Sequence, residues 1–212
     1  MSGRRVPPGR AGRLRLRLRL DTALRGADVL ERKLLFLLER ERAMRQAEED
    51  AARLWASRLH EAETWLLRGM LLSGEQALAQ APAAGRATAE ITYTTTMGVR
   101  HPAGVTCAPA ARSPDDLPPR NTALARAETV YRDVVRAAAD YAAAHEALRL
   151  VAAEIRRTRQ RVRALRHHWI PRLSEELAAA EQSLEQTEHE ESVRRRWASA
   201  PTEPTGAATS HT

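Results

Sequence analysis

The 212 residues carry 34 basic and 27 acidic side chains, a formal net charge of +7 and a pI near 10.7, with 43% hydrophobic but only 4% aromatic residues. One Phe, three Tyr and four Trp supply too little bulk for a thick interior, which argues against a single compact core and for narrow helix–helix seams. Cys107, the only cysteine, excludes an intramolecular disulfide and makes a cytosolic setting the default expectation, and no stretch approaches the roughly 18 consecutive apolar residues of a membrane span.

Residues 1–12 read as a flexible N-terminus, Arg-rich but with no apolar h-region behind it. From Arg13 to Leu20 arginine and leucine alternate, the period of a strand. Both are good helix formers and poor strand formers, so the segment is expected to open a helix. Leucine on several faces then requires surroundings, a first sign that this end sits inside a partner.

The N-terminal helix is expected over 13–80, its clearest part running from Leu20 to Leu72. Steps of three and four from Leu20 pass Leu30, Leu34, Leu37, Met44 and Trp55, the 3.5-residue spacing of a coiled-coil seam. The stripe runs far beyond the usual helix of roughly 11–12 residues, which disfavours an ordinary amphipathic helix lying on a globular core.

Pro82 and Gly85 close this region, and residues 81–120 are expected to hold a hairpin and a proline-rich linker. Glu90 to Thr96 is rich in Thr and Tyr, Met97-Gly98 and Pro102 to Gly104 punctuate, and Gly104 to Cys107 extends again. A short β-hairpin is the economical reading, with a disordered loop as the alternative. Four prolines between Ala108 and Arg120 mark the linker.

The C-terminal helix is expected over 121–197, with Asn121 or Thr122 as its cap. Its seam runs through Leu148 and Ile155, then drifts through Val162, Leu165, Trp169 and Leu173 towards Leu177 and Leu184. Pro171 is expected to kink it, because the ring collides with the carbonyl four residues back. Residues 198–212 are small and polar and read as a disordered tail.

The charge is uneven. Residues 1–30 hold eight Arg against Asp21 and Asp28, residues 154–172 hold seven Arg against Glu154, and Lys33 is the only lysine. If the two helices fold back antiparallel, residues whose numbers sum to roughly 195 face each other. Arg13, Arg15, Arg17, Arg19 and Arg25 then lie near Glu175, Glu176, Glu181, Glu185 and Glu188. Such flanking pairs choose partner and orientation, since exposed ones are each worth only about 0–1 kcal/mol. The basic block thereby acquires an intramolecular use, which weakens a nucleic-acid reading.

Other sites carry little. His167 and His168 point about 100° apart on a helix and cannot share a metal as an i, i+4 pair could. Cys107 has no His-rich companion set and reads as structural. No GxxxxGK[ST] loop is present, so neither a nucleotide nor any other cofactor is expected here, and no catalytic residue or metal ligand. The fold expected is mainly α: a long antiparallel two-helix coiled coil with a short central β-hairpin.

The run Glu154-Ile155-Arg156-Arg157-Thr158-Arg159-Gln160-Arg161-Val162-Arg163-Ala164-Leu165, followed by Ile170-Pro171-Arg172-Leu173, resembles the signature stretch of the D subunit of V-type ATPases and archaeal-type ATP synthases. Gly26 to Glu39, with Leu30 and Lys33, is similar to the family's first-helix motif. Met97-Gly98-Val99 with Pro102 is similar to its central segment, and Asn121-Thr122-Ala123-Leu124 opens the second helix as the family does. Arg163 and Arg166 stand where the family usually has Asn and Glu.

The resemblance implies a non-catalytic rotor axle in the central stalk, coupling ATP hydrolysis or synthesis to ion translocation. Its two terminal ends would enter a hexamer of catalytic and regulatory subunits. Its middle would bind a small companion stalk subunit, and its lower end, near the hairpin, would seat on a funnel subunit above the membrane ring. It implies a cytoplasmic protein, peripheral to the membrane and not inserted in it, with no nucleic-acid partner. Arg13, Arg17 and Arg163 are the candidate contacts to the hexamer. A nucleic-acid-binding or adaptor coiled coil is the alternative class.

Overall fold

The computed structural model describes residues 9–79, 85–110 and 118–199. Of the flexible start expected over 1–12, residues 1–8 lie outside the described residues while 10–12 are helical; of the tail expected over 198–212, residues 198 and 199 are helical and the rest lie outside, as does the linker across 111–117. The chain is mainly helical, with two long helices packed against each other and a two-stranded antiparallel hairpin between them.

Helix α1 runs unbroken from Arg10 to Ser73. The alternating Arg–Leu segment is therefore helical, with Leu16 buried and Leu14 and Leu18 exposed. Gly74 ends the helix in the left-handed region at φ +70°, its N–H donating to the Met70 carbonyl at 2.8 Å. A residue without Cβ takes that conformation at no steric cost, which is why the helix stops here. A single turn, α2 (Gln76–Ala79), follows.

Strands β1 (Thr88–Thr96) and β2 (Val99–Ala108) pair antiparallel. Met97 and Gly98 form the two-residue turn, both at positive φ, as a hairpin turn that matches strand twist requires. Pro102 to Gly104 does not interrupt the second strand. Thr92 pairs with Gly104 and Tyr93 with Pro102, so Ala103 is an extra residue in a bulge. Proline is tolerated there because a bulge asks for no ladder donor.

The chain divides into two compact units, residues 30–161 and the remainder. Within the first, α1 packs on α3 (Thr122–Ala164) in two clusters. Leu37, Val151 and Ile155 are buried together with Leu34, Leu38, Met44 and Val99 around them. Ala62, Val130 and Val134 form the second cluster, flanked by Trp55, Leu59, Trp65 and Tyr131. Rising numbers on α1 meet falling numbers on α3 at Lys33–Glu154, Glu48–His145 and Glu61–Arg126, which makes the helices antiparallel.

The hairpin belongs to the same unit. Val99, just after its turn, packs on the Leu37 cluster, and residues 101–105 border Arg40 to Ala47 and Asp140 to Ala147. It therefore folds back along the helix pair, whereas the expectation placed it at the lower end near the α1–α3 connection.

In the other unit the start of α1 packs with a π-helical turn, Leu165–Trp169, and with α4 (Ile170–Ser199). Arg10–Glu188, Arg17–Glu181 and Asp28–Arg166 run antiparallel here as well. Arg25 instead pairs with Asp21 within α1, and Glu176 with Arg172 within α4. The π-turn lies directly ahead of Pro171: the Ile170 N–H reaches back five residues to the Leu165 carbonyl. Widening the turn in this way relieves the proline ring's conflict with the preceding carbonyls.

Candidate functional site: the motif-bearing helical surface

The motif residues fall on the facing helices and at their junctions, apart from Met97 and Gly98, which form the hairpin turn. At the α1–α3 junction, Asn121 acts on both partners at once. Its Oδ1 accepts from the Leu124 N–H at 2.8 Å, capping α3, while its Nδ2 donates to the Gly69 carbonyl at 3.0 Å and to Ser73 Oγ at 2.5 Å. The cap side chain thus also ties the end of α1, and at Gly69 the two helices approach closely. A Cβ there would meet the Leu124 side chain at 2.5 Å. Continuing the steps of three and four from Leu20 puts Gly69 on the seam as a gap among apolar residues; packing makes it a point of contact.

Lys33 and Glu154 form a partly buried ion pair at 2.7 Å. The Lys33 hydrogen bond holds the Glu154 carboxyl below its ordinary range; burial opposes the shift, and Lys33, Arg161 and Arg157 add favourable charge. A carboxylate stabilised in the folded state contributes stability that is present above its unfolded pKa and lost as pH falls through the lower folded one. Glu154→Gln is therefore expected to flatten the acid limb of the stability curve below the usual carboxylate range. Urea unfolding across that range measures it, and an unchanged acid slope would count against the pair.

Thr158, one turn further on, is fully buried, and its Oγ1 has no hydrogen-bond partner. A buried hydroxyl without a partner keeps its desolvation cost. Thr158→Val, which retains the shape and removes the hydroxyl, is expected to raise stability by about 1 kcal/mol, read from the shift in the urea midpoint.

Beyond this buried line the surface is basic. Arg156, Arg157, Arg159 and Arg161 are exposed on α3, and Arg163 is exposed near its end. Arg13 is half-buried, and Arg17 is paired with Glu181 at 3.2 Å. Gly26 is half-buried with open space where a Cβ would stand. Ala164 and Pro171 are exposed, and Ile170 is half-buried. Of the seam positions, Leu37, Ile155 and Leu173 are buried; Leu20, Leu30, Leu34, Met44, Trp55, Leu148, Val162 and Leu165 are half-buried. Trp169 departs from them at 43% exposed.

Two further contacts stand out, one with a sequence signal and one without. Trp55 stacks on Tyr141 at 5.4 Å between ring centroids; Tyr141 neighbours His145, whose Nδ1 lies 2.7 Å from Glu48. Under the hairpin, the buried His101 donates from Nδ1 to the Pro102 carbonyl at 2.8 Å and accepts at Nε2 from Thr96 at 2.9 Å. The Trp55–Tyr141 and Glu48–His145 contacts follow the antiparallel register, since each pair of numbers sums to roughly 195 and Trp55 lies on the 3.5-residue stripe, whereas His101 finds its partners within the hairpin and leaves no periodic trace.

A groove of about 410 Å³ lies between β2 and the helices, floored by Ala43, Ala47, Ala143, Ala144 and Ala147. Methyl groups offer packing, not chemistry. Among the described residues no helix is long and apolar enough to cross a membrane, and no group of three or more His, Cys, Asp or Glu is placed to hold a metal. What the molecule presents is helical surface, patterned by charge.

None of the curated proteins compared with the chain matches it. The family model of the ATP synthase D subunit matches residues 13–200, which takes in both long helices and the hairpin. The chain therefore belongs to the D-subunit family of V-type and A-type ATP synthases, a family of rotary ATPase stalk subunits.

Proposed function

We propose that this protein is the central rotor shaft of a V/A-type rotary ATPase or ATP synthase. In this reading it is a non-catalytic component that couples ATP turnover in a soluble head to ion translocation, working on the cytoplasmic side and peripheral to the membrane. The observation that carries the reading is the family match over 13–200, borne by two antiparallel helices. Transmitting torque calls for stiffness, and helices paired along narrow alanine- and leucine-rich seams supply it within the unit of residues 30–161.

The partners in this reading are the catalytic and regulatory subunits around the terminal ends, a small companion stalk subunit, and a funnel subunit above the membrane ring. The wide, exposed arginine surface suits exchangeable contacts. A shaft turning inside a sleeve must not be held by strong pairs at one angle, and exposed ion pairs are weak. Charge reversal of Arg13, Arg17 and Arg163 together is expected to lower ATP-driven pumping while leaving helix content intact; unchanged pumping would sink the assignment of these contacts. The assignment as a whole rests on co-purification of one copy with a three-plus-three hexamer when all subunits are co-expressed, and absence of the chain from that hexamer overturns it.

A further inference from the structure

The two strands of the hairpin differ in their surroundings. In β2 the consecutive residues His101 and Pro102, which point to opposite faces of the sheet, are both buried, and Val99 packs on the Leu37 cluster. In β1 every residue from Thr88 to Thr95 is exposed, on both faces alike. The hairpin therefore rests on the helices by its β2 side and holds β1 away from them. Proline and a bulge, two common protections of a sheet edge, both lie in β2. β1 has neither, and Glu90 is the only charge among its nine residues.

Pro102 fixes which backbone groups of β1 are free. In an antiparallel pair, opposed residues alternate between those that exchange two hydrogen bonds and those that exchange none. Tyr93 stands opposite Pro102, which has no N–H, so that pair is of the second kind. Tyr93 and, by alternation, Ala89, Ile91 and Thr95 turn their N–H and C=O groups to the free edge, away from β2. An antiparallel copy of β1 centred on Thr92 matches this edge. Ala89 then meets Thr95 of the second copy, and Ile91 meets Tyr93 of the second copy, so every free-edge residue faces another and each such pair exchanges two hydrogen bonds. A shift of centre either way leaves one of them opposite a residue beyond the strand. The side chains agree with this register. Ile91 and Tyr93, 47% and 51% exposed, become apolar cross-strand neighbours, and Glu90 falls opposite Thr94 of the second copy, so no like charges meet.

We propose that β1 is a pairing edge for a second copy of this chain, the two copies joining antiparallel about Thr92 into a four-stranded sheet of order β2-β1-β1-β2. Because β2 lies towards the helices in each copy, the two helix pairs fall at opposite edges of the new sheet. The contact is isologous and closes on itself, so it gives dimers and not fibres. A contact of one strand on another is small, which puts it in the weak, reversible class. The pairing is a property of the free chain and does not depend on which complex that chain joins.

Sedimentation of the full chain, from micromolar concentration up to its solubility limit, is expected to show monomer giving way to dimer. Ile91→Pro removes a free-edge N–H and leaves the bonds to β2 in place, so it is expected to abolish the dimer at unchanged helix content. A chain that stays monomeric throughout, or a dimer that survives this substitution, overturns the pairing. Cysteine cross-linking in a Cys107→Ser background, with oxidised glutathione as the oxidant, reads the register independently. Thr92 faces its own counterpart in a pair without hydrogen bonds, with Cα atoms about 4.5 Å apart and within reach of a disulfide. Glu90 stands about 13 Å along the strand from its counterpart. Thr92→Cys is therefore expected to cross-link and Glu90→Cys is not. Equal cross-linking at the two positions, or none at Thr92→Cys, overturns the proposal, and this comparison decides if Ile91→Pro does not fold.

Discussion

Replacing Gly69 by valine is expected to open the junction between α1 and α3. Even a single Cβ at this position stands 2.5 Å from Leu124 Cδ2 and 3.1 Å from the Leu124 backbone nitrogen. The leucine side chain can rotate away, but its backbone is the first turn of α3 and cannot. Overpacking of this kind costs about 1–3 kcal/mol, and the branched valine belongs at the upper end. The displaced Gly69 carbonyl also loses its bond from Asn121. Asn121→Ala alone is expected to cost about 1–2 kcal/mol as a lost helix cap. Because both changes break the same clasp, their combination should cost less than the sum. Urea unfolding of the two single variants and the double variant measures this, and full additivity would show that the clasp does not act as a unit.

Leu37→Ala is expected to destabilise the chain by about 2–5 kcal/mol, the range for emptying a large buried aliphatic site. Leu37 is fully buried against Val151 and Ile155, and the hairpin's Val99 leans on the same cluster. Leu35, two residues away and 68% exposed, provides the control. Leu35→Ala should stay within about 0.5 kcal/mol in the isolated chain. Equal losses for the two variants would mean that the packed face of α1 is not the one described. The Leu37 loss should also loosen the hairpin, so faster amide exchange in β2 is expected to accompany it.

The arrangement of two helices around a hairpin was legible because periodicity and charge are spread over many residues. A stripe of Leu, Ala and Trp at 3.5-residue spacing keeps its phase over the length of α1, so single exceptions do not obscure it. Antiparallel pairing was legible for a similar reason: an arginine block at one end has few partners other than a glutamate block at the other. Arg10–Glu188 and Arg17–Glu181 carry that pairing, while Arg25 and Glu176 found nearer partners on their own helices. A local pair at i, i+4 needs no long-range closure, and it wins when the geometry allows either.

The hairpin's position, the π-turn and the role of Gly69 were not legible, and each fails for a stated physical reason. Pro102 to Gly104 looks like a strand terminator, but a bulge removes the need for the missing donor. Pro171 marks an irregularity in the helix, but not its form: the residue before it is taken up in a wider turn, after which Leu173 is buried. Gly69 looks like a hole in an apolar stripe, although its missing side chain is what lets Leu124 approach.

By itself, then, the amino-acid order determined the helical content, the facing stripes, the antiparallel sense and the family, because these depend on patterns repeated along the chain or on motifs held in order. Only the tertiary structure decided where the hairpin lies along the helices, which carbonyl Asn121 ties, that Thr158 is buried without a partner, and that Trp169 turns outward from its stripe. Each of these depends on the approach of one residue to a few atoms far away in the chain, and a period of three and a half residues does not encode such distances.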